Sequence, residues 1–296
     1  MRFSTAAILA FSVAGCASAA VAPANAPAPS ASPAPGSGNP PSGATPPSAI
    51  SSPREWPELR QAFEAERITG TIALFDSQDG VLGCSDLKKC QEAVIPASTF
   101  KIPHSMIALE AGVVEGPDTI LPWDHKQYSV DAWNQDLKFR DAFRLSCVPC
   151  YQAIARRVGE AGEQEWLTKL GYGNRNISGG VDKFWLWGGL RISALEQIDF
   201  LRRFDGDKLP ISSRTADLVR DIMTIDVTEN YVLRGKTGSA SPPEEEREVG
   251  WFVGWLELGP RRIFFATRID SHAAGVDPAP VRRAVTERIL KSKGWM

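Results

Sequence analysis

Apolar positions recur along this chain in two rhythms that come in blocks. Between Trp56 and Arg67, Leu59, Phe63 and then Ile68 fall near helical spacing with charges between them, which predicts an amphipathic helix. Gly70 to Asp76 reads as a strand, and Asp79-Gly80 as a hairpin turn leading into Val81-Leu82. Pro96 then precedes a helical run that begins at Ala97-Ser98 and continues through Met106, Ile107, Leu109 and Val113. From Trp123 to Trp187 strand character is lost: Ser146 to Val158 and Glu163 to Leu170 read as helices, and Ser193 to Phe204 as another. The strand rhythm returns at Tyr231–Gly238, Val249–Leu258 and Arg262–Ile269, with Glu-rich residues 244–248 as an exposed turn, and a helix from Val281 to Leu290 follows. Strands at both ends with helices between them predict an α+β fold, an antiparallel sheet flanked by helices with an inserted all-helical lobe. The sheet lobe is expected at about 54–97 and 188–296 and the helical lobe at about 98–187.

The first 53 residues follow neither rhythm. Met1-Arg2 is a positive start and Ala6 to Val13 a short apolar run, so residues 1–20 read as a secretory signal, too short to remain as a membrane span. Two endings compete. Val13-Ala14-Gly15-Cys16 has the form of a bacterial lipobox, which would lipidate Cys16, while Ala17-Ser18-Ala19 has the form of an ordinary cleavage site. Residues 21–53 are almost entirely Ala, Pro, Ser and Gly and are expected to be a disordered linker, the tether a lipid-anchored domain needs. Residues 54–296 are then one catalytic-size domain.

Composition narrows the function classes. The 296 residues are 43% hydrophobic and 23% charged with a net charge of −2, so there is no basic excess to hold nucleic acid, and a small molecule is the expected partner. His104, His125 and His272 show no ligand spacing and there is a single C-x-x-C, so no metal is expected. Cys84 and Cys90 flank a polar Ser-Asp-Leu-Lys-Lys segment between two strand-like runs, where a local disulfide is expected; Cys147 and Cys150 are either buried thiols or a local bridge.

Ser98 and Lys101, three residues apart at a helix start, share one face. A lysine against Phe100 and Ile102 is costly to keep protonated, and a neutral or modified lysine beside a hydroxyl is a nucleophile–base pair. One Ser-x-x-Lys is expected by chance in roughly every chain of this length, and an N-cap serine with a solvated lysine is the ordinary alternative. Two further motifs decide between them, in order: Ser146-Cys147-Val148 at a loop-to-helix junction and Lys236-Thr237-Gly238 at a strand end. Together the three resemble the penicillin-recognising serine enzymes. Ser-x-Val, with Tyr172-Gly173-Asn174 and Phe184-Trp185-Leu186, resembles the class D (oxacillinase-type) β-lactamases, over essentially all of residues 54–296.

The resemblance implies hydrolysis of the β-lactam ring in the periplasm, with Ser98 acylated and Lys101 carrying a carbamate (N6-carboxylysine) as general base. The only helper implied is carbon dioxide or bicarbonate. Trp185 would hold the carbamate, with Val148 and Leu186 as its apolar wall. Ser146 would pass a proton to the leaving nitrogen with help from Lys236, the N–H groups of Ser98 and Ser239 would form the oxyanion hole, and Thr237, Gly238 and Arg282 would receive the substrate, Arg282 facing its carboxylate. Cys147, Cys150 and Ser239 depart from the family's usual residues. A penicillin-binding protein or a β-lactam sensor domain, either of which acylates without efficient turnover, is the alternative; Ser-x-Val and the tryptophan segment oppose the first, and the lack of several membrane helices ahead of the domain opposes the second.

Overall fold

A computed structural model describes residues 52–241, 248–271 and 278–296. The signal segment, Cys16, the linker to residue 51, most of the Glu-rich turn and His272 lie outside the described residues.

In chain order, β1 (Arg54–Glu55) and a 3-10 turn lead to α1 (Arg60–Ala65), then to the hairpin of β2 (Thr69–Asp76) and β3 (Val81–Cys84). Gly80 closes that hairpin at φ 65°, a conformation that costs a residue with a Cβ. Next come α2 (Leu87–Gln91), a 3-10 turn at Ala97–Phe100 that runs directly into α3 (Lys101–Glu110), β4 (Ile120–Leu121), β5 (Leu137–Lys138), α4 (Phe139–Arg144) and α5 (Val148–Leu170). The chain continues through α6 (Ala194–Asp205), α7 (Ser213–Ile222), β6 (Thr224–Val227), β7 (Val232–Ala240), β8 (Glu248–Leu258), β9 (Arg261–Ser271) and α8 (Pro278–Ser292).

Seven strands form one sheet in the order β1-β3-β2-β9-β8-β7-β6. Every pairing is antiparallel apart from the two-residue β1–β3 contact, which is parallel. Both faces are buried, and the two-residue period sorts the side chains between them. Ile72 and Leu74 of β2, Phe252 and Leu256 of β8, and Ile263 and Phe265 of β9 join Phe63 of α1 and Val285 and Ile289 of α8 in one cluster. Their neighbours Ala73, Phe75, Trp251, Val253, Trp255, Phe264 and Ala266 face the larger cluster that α3, α5 and α6 complete. The expected α+β architecture is therefore the one observed, and the inserted block is helical apart from the short β4–β5 ribbon. α7 extends that block by packing on α3 and α4.

Three local differences have physical causes. The two helices read at 146–158 and 163–170 are joined as α5, which starts at Val148 and breaks at Gly159 (φ 78°, ψ 162°). Residues 85–91 are not an open turn. The Asp86 carboxylate accepts from the Lys89 N–H at 3.0 Å and caps α2. The expected Cys84–Cys90 disulfide is corrected: both are buried thiols, side by side and hydrogen-bonded rather than joined. The helix aims the Cys90 thiol at Ile72 O (3.5 Å) and Thr71 Oγ1 (3.1 Å), where it is satisfied by hydrogen bonding. A hydrogen bond to Cys90, together with burial, pushes the Cys84 thiol up. The disulfide that does form joins Cys147 to Cys150 across the first turn of α5, one of the two states the sequence left open there.

Candidate active site

Ser98 sits where four elements converge. Thr99 Oγ1 donates to Pro96 O (2.7 Å), the Ala97 N–H reaches Trp185 O (3.0 Å), Trp251 Nε1 of β8 donates to Ile95 O (2.9 Å), and Gln197 Nε2 of α6 donates to Thr99 Oγ1 (3.0 Å). These bonds hold Ala97 at φ 51°, a left-handed conformation that a residue with a Cβ keeps only where its surroundings impose it. Ser98 follows as the second residue of the 3-10 turn, so its N–H precedes the first bond of the helix.

Lys101 opens α3 and is fully buried. Its Nζ lies 3.1 Å from Ser98 Oγ, its only hydrogen-bond partner among the described residues, and 4.9 Å from the centroid of the Tyr151 ring. Burial first, and the charge of Lys236 second, hold its pKa well below the ordinary lysine value. Both causes favour the neutral amine, as its apolar flanks in the sequence suggested.

Ser146 is the second non-glycine residue of the site with a positive φ (54°). It stands just before α5, where the Cys147 Sγ accepts the Cys150 N–H (3.2 Å), so the bridged pair also caps the helix. Lys236 Nζ donates to Ser146 Oγ and to Thr237 O (3.0 Å). Burial, and then the nearby Arg282, push Lys236 down to about 7.

The strand that carries Lys236 presents a free edge. The Gly235 N–H reaches Met223 O (2.9 Å), but the β6–β7 ladder ends at Arg234. By the two-residue period, the N–H groups of Thr237 and Ser239 point to that same, unladdered side. Gly238 lets β7 close on the nucleophile turn: a Cβ there would lie 3.0 Å from Pro96 O and 3.1 Å from Thr99 Cγ2. Arg282 of α8 donates through Nη1 to Gly238 O (2.8 Å) and to the Ser239 hydroxyl, whereas Arg283 is turned to Glu287 (2.5 Å), so the first of these two arginines faces the strand. A cavity of about 260 Å³ adjoins Lys236 and Thr237, with Arg144 and Arg283 among its lining residues.

Trp185 is delivered by a loop that Asn174, at its start, ties to its far end: Asn174 Nδ2 donates to Gly189 O (2.9 Å), and its Oδ1 accepts the Arg191 N–H (3.0 Å). Gly173 is required there, because a Cβ would lie 2.2 Å from Arg191 O. The indole is fully buried, stacked on Phe100 (centroids 5.5 Å) and edge-on to Phe184 (4.9 Å), and its Nε1 has no hydrogen-bond partner. Leu186 is buried beside it, and Val148 packs partly buried against the same cluster. Among the described residues, no group of three or more His, Cys, Asp or Glu side chains could hold a metal ion.

The sequence reading passed over two features. Gln197, which donates through Nε2 to Thr99 Oγ1 (3.0 Å) and to the hydroxyl of Tyr172 (3.2 Å), braces Thr99 from behind and gives the tyrosine of the Tyr-Gly-Asn segment its partner. The second is a buried pair, His104 and Glu163. Its signal was present: Glu163 stands four residues before Leu167 and seven before Leu170, at a core position of the helix.

A serine hydrogen-bonded to a buried lysine, beside a second Ser–Lys pair on a sheet edge, defines a penicillin-recognising serine acyl-transferase, and a family model of the penicillin binding protein transpeptidase domain matches residues 66–291. Among curated relatives, β-lactamase OXA-48 of Klebsiella pneumoniae is 38% identical over 81% of this chain and 90% of its own. β-Lactamase OXA-10 of Pseudomonas aeruginosa is 38% identical over 78% and 87%. Among solved structures, the class D β-lactamase YbXI from Nostoc superimposes with a TM-score of 0.77 at 42% identity, covering 80% of this chain and 99% of that one. The class D β-lactamase FUS-1 (OXA-85) of Fusobacterium nucleatum subsp. polymorphum gives 0.78 at 33% identity, covering 82% and 100%. The chain belongs to the class D β-lactamases.

Proposed function

We propose that this β-lactamase opens penicillin-type β-lactams through an acyl-enzyme on Ser98, with Lys101 as the seat of the general base, and so confers resistance. The observation that carries the reading is a fully buried lysine with Ser98 as its only hydrogen-bond partner, packed in the same core as an indole N–H that has none. A buried donor without a partner costs about 1–3 kcal/mol. Carbon dioxide added to the neutral Lys101 amine would supply an anionic base, and Trp185 Nε1 is the donor fit to hold it, with Val148 and Leu186 as apolar neighbours.

The remaining roles follow from this chain's own groups. Ser98 Oγ adds to the lactam carbonyl while its proton passes toward Lys101. The N–H groups of Ser98 and Ser239 receive the developing oxyanion, each donor contributing about 3 kcal/mol. As the C–N bond breaks, Ser146 delivers a proton to the nitrogen, and Lys236, hydrogen-bonded to Ser146, replaces it. Water then attacks the ester, and Ser98 leaves with its proton restored. Thr237, Gly238 and Arg282 line the strand edge on which the substrate carboxylate lies. The signal-like start, the possible lipobox at Cys16 and the linker support export to the periplasm, with a membrane tether where Cys16 is lipidated.

The test is turnover of a chromogenic cephalosporin with and without bicarbonate, by the wild type and by Ser98→Ala and Lys101→Ala. Multiple turnovers that rise with bicarbonate and vanish in both variants are expected. A single stoichiometric burst with a stable adduct on Ser98 would instead show acylation without turnover and overturn the hydrolytic reading.

A further inference from the structure

We propose that the buried His104–Glu163 pair is a positioning device for Trp185, holding the indole N–H in place and so setting how tightly Lys101 takes up carbon dioxide; this rests on the carbamate reading above. His104 lies one turn beyond Lys101 on the same face of α3. Its ring meets Trp185 edge-on (centroids 5.1 Å) and also touches Phe100 (5.1 Å) and Tyr151 (5.4 Å). Those three rings surround the Lys101 turn. Glu163 comes from the second half of α5, which the break at Gly159 re-aims, and its Oε1 lies 2.9 Å from His104 Nε2 with both side chains at 0% exposure. The contact lacks the alignment of a hydrogen bond, and neither ring nitrogen nor either carboxylate oxygen has a hydrogen-bond partner. Each is the other's sole ionic partner among the described residues.

Stability does not explain this pair. A buried ion pair contributes no more than well-packed apolar side chains of the same volume, and this wall is otherwise aromatic and aliphatic. What the pair supplies is orientation. The carboxylate, 2.9 Å from Nε2, limits where the imidazole can lie, and the imidazole and indole rings meet edge to face. Of the rings that hold Trp185, Phe100 and Phe184 are apolar, and His104 alone has a polar side chain of a second helix against it. The step affected is balanced simply. The Lys101 nitrogen lone pair forms an N–C bond to carbon dioxide, one C–O π pair moves onto oxygen, and one N–H proton leaves to solvent. The resulting anion needs the indole N–H at a fixed place.

The experiment titrates ¹³C-bicarbonate into the purified protein and follows the carbamate resonance by NMR, with chemical unfolding measured alongside. Glu163→Met should need about tenfold more bicarbonate for half-occupancy, in the range that losing an orienting partner behind a ligating group produces. Glu163→Gln keeps a polar contact to His104 and should stay within about twofold of wild type. The double variant His104→Leu/Glu163→Met fills the space with apolar groups; it should resist denaturant at least as well as wild type yet carry the weakened carbamate, opposite effects that a purely structural pair would not give. Half-occupancy unchanged in both Met-containing variants, with a wild-type resonance present, would overturn this inference alone. A wild type with no carbamate resonance would overturn it together with the reading it rests on.

Discussion

Trp185→Phe separates the indole N–H from everything else the side chain does. Phenylalanine keeps an aromatic ring between Phe100 and Phe184 and deletes one buried donor that has no protein partner. A hydrogen bond to a charged group contributes about 1.5–3 kcal/mol, so loss of the N–H should weaken carbamate formation about 10- to 150-fold. Without carbon dioxide the sign reverses. The deleted donor was unsatisfied, and its removal returns about 1–3 kcal/mol, while a ring smaller by about 40 Å³ costs about 1 kcal/mol at about 24 cal/mol per Å³. The variant should therefore be as stable as wild type, or up to about 2 kcal/mol more stable, in buffer stripped of carbon dioxide. In saturating bicarbonate the order should invert, because a ligand that binds only the folded state stabilises it in proportion to the logarithm of its saturation. The assay is guanidinium unfolding in both buffers, beside turnover across a bicarbonate series. A variant that responds to bicarbonate as wild type does, or that is destabilised by more than about 2 kcal/mol in stripped buffer, would refute the reasoning.

Lys236 is held at about 7 against an ordinary 10.5, so between those values the unfolded chain keeps a proton that the folded chain has released, and stability rises with pH across that window. Unfolding free energy should gain about 2–3 kcal/mol from pH 7 to pH 9 relative to the same interval in Lys236→Met; an equal slope in both would place the titration elsewhere. Gly238→Ala forces a Cβ against Pro96 O and Thr99, and should cost about 1–3 kcal/mol of stability by overpacking and lower kcat/KM by more than tenfold as β7 moves away from Ser98. Unchanged kinetics would show that the strand tolerates the shift. Replacing both Cys147 and Cys150 with alanine opens a bridge of sequence separation 3 and should cost about 2 kcal/mol of loop entropy, measured as a lower denaturant midpoint, and reduction of the wild type should match it.

The chain announced its chemistry more clearly than its supports. Ser98, Lys101 and Ser146 were legible because each stands at an element boundary that periodicity marks; Lys236 was legible from its motif, although β7 runs on past the expected end at Gly238 to Ala240, and the structure pairs Ser98 with Lys101 and Ser146 with Lys236. The long β8 and β9 strands were legible because both of their faces are apolar, and so was the Asp79-Gly80 turn. Helix α2 was not: it has five residues, three of them Lys or Gln, and its capping Asp86 looks the same in a turn. The expected disulfide was a separate miss: the spacing does bring Cys84 and Cys90 together, but as hydrogen-bonded buried thiols rather than a bridge. β6 was invisible for a reason related to that of α2, since an edge strand of four residues with alternating exposure carries little apolar signal. Glu163 was read only as the start of a helix, although its spacing to Leu167 and Leu170 placed it inside.

The two lysines explain one another. Lys101, Lys236 and Arg282 form a chain of cations: the charge of Arg282 depresses Lys236, and the charge of Lys236 depresses Lys101. No carboxylate enters that chain among the causes of either shift. Burial is the larger cause at both amines, and the neighbouring cation adds to it, so at Ser98 the neutral, nucleophilic form of the amine is favoured without any dedicated base to generate it. An anion on Lys101 would reverse the sign of its interaction with Lys236 and raise the Lys236 pKa. Lys236 would then be charged when Ser146 needs a proton to pass to the leaving nitrogen. On the proposed mechanism, the low pKa that would admit carbon dioxide and the proton supply for ring opening would be two consequences of one arrangement, three basic side chains crowded around two serines.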